Sequence, residues 1–230
     1  MRHSIDELLA VVYHHHPRGL SVDDPGYASS EDLARLSEAR RQAGRNAEPW
    51  RAMLRRLREQ FPEITVQNRS LDLPAGGAGD ASYSGALHLP PSEGEHVHTL
   101  GFLVSFLVPY YVVYSSRLVD IPEQEGTSPP PCLRFHFEHD TSIVLPPDPS
   151  LPDGGLDTGQ QEPRRRDIIA FDFTSAEQPY AASIAREIES TFGHERMPPN
   201  IGATIVPDVS TGLRRFGEAT LYDCLFAEHW

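Results

Sequence analysis

Residues Thr99 to Asp120 read TLGFLVSFLVPYYVVYSSRLVD, the most apolar run of the chain. From Leu100 to Tyr114 it has 15 residues without a charge, rich in Val, Phe and Tyr. Such β-branched and aromatic side chains suit a pleated, well-buried surface. The run falls short of the roughly 20 apolar residues that a membrane-crossing helix needs. It is continuously apolar rather than alternating, which predicts a strand covered on both faces of its sheet. Pro109 cannot donate to a ladder, so the run is either one central strand or two strands broken at Pro109.

The chain before this run reads as helices. Ser4 is a candidate N-cap with Asp6 and Glu7 in the first turn, where carboxylates favour the helix dipole. Ile5, Leu8, Leu9 and Val12 then form an apolar stripe that ends near His14–His16, before Pro17. Ser29 or Ser30 opens a second helix, with Leu33, Leu36, Ala39 and Ala43 spaced along it up to Gly44. Pro49 starts a third, whose buried face is Trp50, Met53, Leu54, Leu57 and Phe61. Arg51, Arg55, Arg56 and Arg58 lie mostly on its other side, a solvated face that Glu48 and Glu59 can pair.

Strand signals surround the central run. Ile64–Val66 and Ser82–Leu89 are separated by a glycine-rich turn at Ala75–Gly79. After a proline-rich loop, Pro122–Pro131, the segments Leu133–Phe137 and Thr141–Leu145 read as a hairpin turning at His139-Asp140. Pro146–Arg166 has no periodicity and reads as a long surface loop. Asp167–Phe173 is a further strand, and a helix from about Ala176 to Phe192 ends at Gly193. The tail holds a short strand at Ala203–Val206, turns at Pro207-Asp208 and Gly217, and a last segment, Glu218–Trp230, that fits helix or strand. The order predicts one α+β domain over residues 1–230: a helical layer (1–62) packed on a mostly antiparallel sheet (63–173), then one helix and a long C-terminal tail (174–230).

Charge carries the functional signal. The formal net charge is −13, and residues 1–70 contribute 11 Arg against 10 acids, or +1. The other 160 residues hold 9 Arg against 23 acids, or −14. A field of that sign repels nucleic acid and anionic membrane and draws in a basic protein partner. All 20 basic residues are Arg, a codon bias of GC-rich bacterial genomes. Only Cys132 and Cys224 are present, without CxxC spacing, and read as buried thiols. Met1–Asp6 is polar and Ile5–Tyr13 too short for a secretory h-region, so the expected location is the cytoplasm.

Eleven histidines invite a metal reading. His14-His15-His16 are consecutive, so on a helix their rings point about 100° apart and cannot share one ligand face. His96-x-His98 can place two imidazoles on one side of a strand. With His88, or with His136 and His139 from another strand, and Glu138 or Asp140 as a further ligand or base, they make the alternative of a metal-dependent hydrolase. The chain has no HExxH, no Cys/His quartet, no GxSxG elbow and no Walker loop, and Gly76–Gly79 lacks the helix needed to cradle phosphate.

The tail from Pro198 to Trp230, PPNIGATIVPDVSTGLRRFGEATLYDCLFAEHW, together with VSFLVPYYVVYSSRLVD from Val104 to Asp120, resembles stand-alone immunity-type proteins of bacterial polymorphic toxin systems. The resemblance implies a cytoplasmic α+β protein that binds and blocks a toxin enzyme, with no cofactor and no catalytic residue. An inhibitor of a nuclease or deaminase competes with a polyanion, which an acidic surface does. The candidate partner-binding residues are Asp120, Glu123, Glu125, Glu138, Asp140, Asp153, Asp157, Tyr222, Asp223, Glu228 and Trp230. In this set Tyr222-Asp223 and Glu228-His229-Trp230 provide aromatic anchors beside charged rims, with core packing beside Leu225 and Phe226 as the other reading of Tyr222.

Overall fold

The computed structural model describes residues 3–70, 80–92, 95–120 and 165–226. The central run folds as two strands, β3 (Glu95–Ser105) and β4 (Tyr110–Asp120), paired antiparallel with Gly101 opposite Tyr114 and Val104 opposite Tyr111. Of the two alternatives at Pro109, the broken strand is the one that forms. Residues 106–109 reverse the chain, and Ser105 Oγ accepts the N–H groups of Leu107 (3.2 Å) and Val108 (3.3 Å). Pro109 thus sits where no ladder donor is required.

Around this hairpin the sheet runs β1 (Thr65–Asn68), β2 (Ser82–Leu89), β3, β4, β5 (Arg165–Ala170), every neighbouring pair antiparallel. The outer side of β4 is shared. Its second half, Ser115–Asp120, pairs with β5, while Tyr110 and Tyr111 pair in parallel with β6 (Glu195–Arg196). Residues 112–114 therefore lie between two different neighbours. The expected strand at Asp167–Phe173 starts two residues earlier and stops at Ala170, because the Phe171 carbonyl turns to the Arg196 guanidinium at 2.9 Å instead of a ladder partner. The expected strand at Ala203–Val206 is reduced to an isolated bridge between Ile205 and Thr220. The turn at Ala75–Gly79, the hairpin over Leu133–Leu145 and the loops at Pro122–Pro131 and 146–164 lie outside the described residues.

Both faces of the sheet are covered. Tyr110, Val112 and Tyr114 of β4 join one core with Leu8 and Val12 of α1 (Ile5–His15) and with Met197, Val206, Val209 and the residues of α6 (Leu221–Leu225). Tyr111 and Val113 point the other way. They join Leu100, Phe102 and Val104 of β3 with Trp50, Met53, Leu54 and Leu57 of α3 (Glu48–Gln60) and Ala181, Ile184 and Ile188 of α4 (Gln178–Phe192). This is why the run shows no alternation: each side chain has a core to enter. The helical N-terminus packs on the sheet as expected, its helices divided between the two faces, with α2 (Glu31–Arg45) beside α1. A four-residue helix, α5 (Pro199–Gly202), precedes the bridge in the tail.

Local chemistry fixes the helix ends. Ser4 and Glu7 form a reciprocal capping box on α1, and Ser30 caps α2. Gly193 ends α4 with φ +67°, the left-handed conformation that glycine adopts without a Cβ penalty. His16, just past α1, is buried, and its Nε2–H donates to the Cys224 carbonyl at 2.9 Å, tying the first helix to the last. Burial pushes the His16 imidazole down to about 4, so it stays neutral.

The hairpin also depends on a ring lying over bare backbone. The Tyr114 ring covers Gly101 across the ladder, and a Cβ built on Gly101 would fall 2.2 Å from Tyr114 Cζ. Tyr114 is itself buried and packed in the core, so it cannot swing away cheaply. Gly101→Ala is expected to lower stability by about 2 kcal/mol through overpacking. Urea denaturation checks this, and a midpoint equal to that of the parent protein would refute the close-approach reading.

Candidate functional site

The most concentrated polar cluster in the described structure is built where β3, β4 and the start of α4 meet. His98 pairs with Arg117 across the hairpin, and two positions on, Leu100 pairs with Ser115. By strand alternation His98, Ser115 and Arg117 share the face that carries Leu100 and Val113, the face α4 packs on. The turn before α4 places Glu177 over them, fully buried. Its Oε1 accepts from His98 Nε2–H (2.7 Å), Ser115 Oγ (2.5 Å) and Arg117 Nη2 (3.0 Å). Its Oε2 accepts the backbone N–H (2.7 Å) and hydroxyl (2.8 Å) of Thr174.

Burial alone would raise the Glu177 carboxyl, but the hydrogen bonds from Ser115, Thr174 and His98 outweigh it and lower it to about 2. The carboxylate is charged throughout the physiological range. A group held that low with five donors on its two oxygens is a poor proton acceptor, since a general base works best near the ambient pH. The chemistry of this cluster is attachment: it locks two strands and a helix through one buried charge.

Of the residues singled out from sequence, Tyr222 and Asp223 are corrected by their placement. They are 3% and 2% exposed, so neither presents an anchor or a rim to a partner. The Tyr222 ring stacks on Phe171 (centroids 5.2 Å apart, planes 9° off parallel) and lies over Gly202. Asp223 closes a capping box with Thr220 on α6, and Arg214 Nε donates to it at 3.4 Å. Asp120 ends β4. Glu123, Glu125, Glu138, Asp140, Asp153, Asp157, Glu228 and Trp230 lie outside the described residues.

The histidine set does not converge where it can be followed. The register of β3 shifts between Glu95 and Val97, which breaks the alternation expected to align His96 with His98. His96 is exposed, while His98 is buried against Glu177. His136 and His139 lie outside the described residues. Among the described residues no group of three or more His, Cys, Asp or Glu side chains is placed to hold a metal ion. The His14 and His15 rings meet edge-on with centroids 4.9 Å apart, His15 Nδ1 meets the Val11 carbonyl, and His16 Nε2 meets the Cys224 carbonyl. Cys224 is a buried thiol, and Cys132 lies outside the described residues.

Sequence reasoning missed Glu177 as a hub, although its signal was present. Thr174-x-x-Glu177 is a capping-box spacing, and His98, Ser115 and Arg117 continue the two-residue alternation of the apolar strands with polar groups. Polar positions in phase with a buried face need a partner, and an acid at the opposing helix start supplies it. In comparisons with known proteins, no family model, no curated protein and no solved structure matches this chain.

The hub predicts acid lability. A carboxyl lowered from its ordinary 4.5 to about 2 contributes stability that is complete above pH 4.5 and is lost as pH falls towards 2. His16 adds an earlier loss: the unfolded chain takes up its proton below 6.5, the folded one only near 4. Glu177→Gln should lower stability at pH 7 by about 2–3 kcal/mol and flatten the pH dependence between 4.5 and 2. Denaturant midpoints measured across pH test both, and an unchanged slope below pH 4.5 would remove Glu177 from this role.

Proposed function

We propose that this chain is a non-enzymatic acidic binding protein, an immunity-type inhibitor that blocks a toxin enzyme in the bacterial cytoplasm. The observation that carries the reading is the uneven charge: −14 in residues 71–230 against +1 in residues 1–70. Packing supports it from the basic side. Four arginines of the helical layer pair with acids: Arg35 with Glu31 and Asp32, Arg41 with Glu38, Arg55 with Glu48, and Arg56 with Glu187 of α4. With 11 Arg against 10 acids, residues 1–70 are near neutral, and the excess acid belongs to the rest of the chain. No helix among the described residues is long and apolar enough to cross a membrane.

An enzyme that works on nucleic acid carries a basic substrate groove. An acidic protein that fills it competes with a polyanion and associates quickly, with an on-rate that falls as salt rises. Asp120, Glu123, Glu125, Glu138, Asp140, Asp153, Asp157 and Glu228, with Trp230 as an apolar anchor, remain the residues assigned to that contact. Tyr222 and Asp223 are withdrawn from it, because their burial gives them structural work.

Native mass spectrometry of the full chain, purified at low salt from cells co-expressing its neighbouring genes, tests the proposal. The expected result is a stoichiometric second protein that dissociates as salt is raised. Paired reversals, Glu123→Arg with Glu125→Arg and Asp153→Arg with Asp157→Arg, should weaken that complex about tenfold or more with an unchanged melting temperature. A bare chain, a chain carrying only metal ions, or an affinity indifferent to both reversals would overturn it.

A further inference from the structure

Where β4 passes from one outer neighbour to the other, the sheet opens into a cavity of about 210 Å³ lined by Val113, Phe173, Gln178, Ala181, Ala182, Ala185 and Arg196. Its position follows from the register. β6 reaches only to Tyr111 and β5 begins only at Ser115, so the edge at Val113 has no strand beside it. Arg196 stands in that break. Its Nη2 donates to the Phe171 carbonyl at 2.9 Å and approaches the Val113 carbonyl at 3.5 Å, while its guanidinium carbon lies 5.1 Å from the centre of the Phe173 ring. The facing wall is a helix surface of three alanines, which leaves the room empty of side chains.

Arg196 is the one charged residue that lines this hollow, with Asp172 and Glu195 next to lining residues in the chain. Arg196 has no carboxylate partner, and its Nε–H and Nη1 donors bond to nothing in the described structure. Two backbone carbonyls and an aromatic face hold the group in place, so it meets a ligand with little further loss of side-chain freedom. The acids on or just before α4 are committed elsewhere: Glu177 to its buried donors, Glu187 to Arg56, and Glu189 to the Tyr111 hydroxyl. Gln178 lines the same wall with the alanines, so this wall is the side of the first turns of α4. A positioned cation at an apolar hollow selects an anion with an apolar body.

We propose that this cavity is a binding site for a small monocarboxylic acid with a short branched or aryl body, its carboxylate held by Arg196 and its body against Val113, Phe173 and the α4 alanines. Size sets the class. The hollow is open on one side, where Gln178, Ala182 and Arg196 are exposed, and its volume of about 210 Å³ suits a compact body. The chemistry sets the headgroup, because guanidinium–carboxylate hydrogen bonds are charge-assisted and about twice as strong as neutral ones. The site is separate from the acidic contact proposed above and does not rest on it.

Phenylacetate is a suitable probe, with phenylacetamide as its neutral isostere, both titrated into the full ¹⁵N-labelled chain. The expected result is saturable shifts of the Val113, Ala181, Ala182 and Ala185 amides with the acid, and binding at least about tenfold weaker with the amide. Arg196→Gln should bring the acid down to the level of the amide, and Ala182→Phe, at an exposed helix position, should fill the cavity and abolish both. The acid-to-amide comparison on the parent protein stands even if either variant unfolds. Equal binding of acid and amide, shifts confined to other parts of the molecule, or no saturable shift at all would overturn the assignment.

Discussion

One buried carboxylate holds the two main parts of this fold in register. Glu177 receives a donor from β3, two from β4 and two from the turn that starts α4, so none of these elements can slide without leaving a charge or a donor unsatisfied. Apolar packing between α4 and the hairpin is strong but indifferent to small shifts, since one aliphatic contact replaces another. The hydrogen bonds are not indifferent. They choose one register of helix on sheet, and the adjoining cavity inherits its shape from that choice.

Burying the hairpin on both sides makes a second demand. Rings from one strand must find space against the next, and the chain provides it with glycine: Gly85 opposite Phe102 on one face, Gly101 opposite Tyr114 on the other. Gly202 under Tyr222 repeats the device in the tail. Each pair trades a side chain for the flat side of an aromatic, which buries area without adding volume. The tail is thereby part of the core, and His16 seals it to α1 through the Cys224 carbonyl.

Much of this was legible in the sequence because the signals were local. Ser4 with Glu7, Ser30, Gly193 and the apolar spacing of Trp50, Met53, Leu54 and Leu57 each fix their own helix. The uncharged run announced doubly covered strand structure, as one strand or as two broken at Pro109, and β2 has the bounds its residues suggest. What did not show was whatever depends on distant partners. Tyr222 reads as either anchor or core, and Asp223 as a rim, until Phe171, Gly202 and Thr220 are seen around them. His96 and His98 look like a pair until a register shift separates them. The Glu177 hub joins residues 60 to 79 positions apart in the chain, and no window of sequence spans that.

The divided outer side of β4 bears on how such an apolar sheet avoids sticking to itself. A long unpaired edge is a template on which another chain can add a strand. Among the described residues one border of the sheet is the four-residue β1, and the other is split into the six residues of β5 and the two of β6, which run in opposite senses relative to β4. An incoming strand would have to be antiparallel for one piece and parallel for the next. The most apolar segment, Leu100–Tyr114, lies two or three strands in from β1, and on its other side only residues 112–114 lack a neighbouring strand among the described residues. The break at residues 112–114 thus acts as insurance against filament growth.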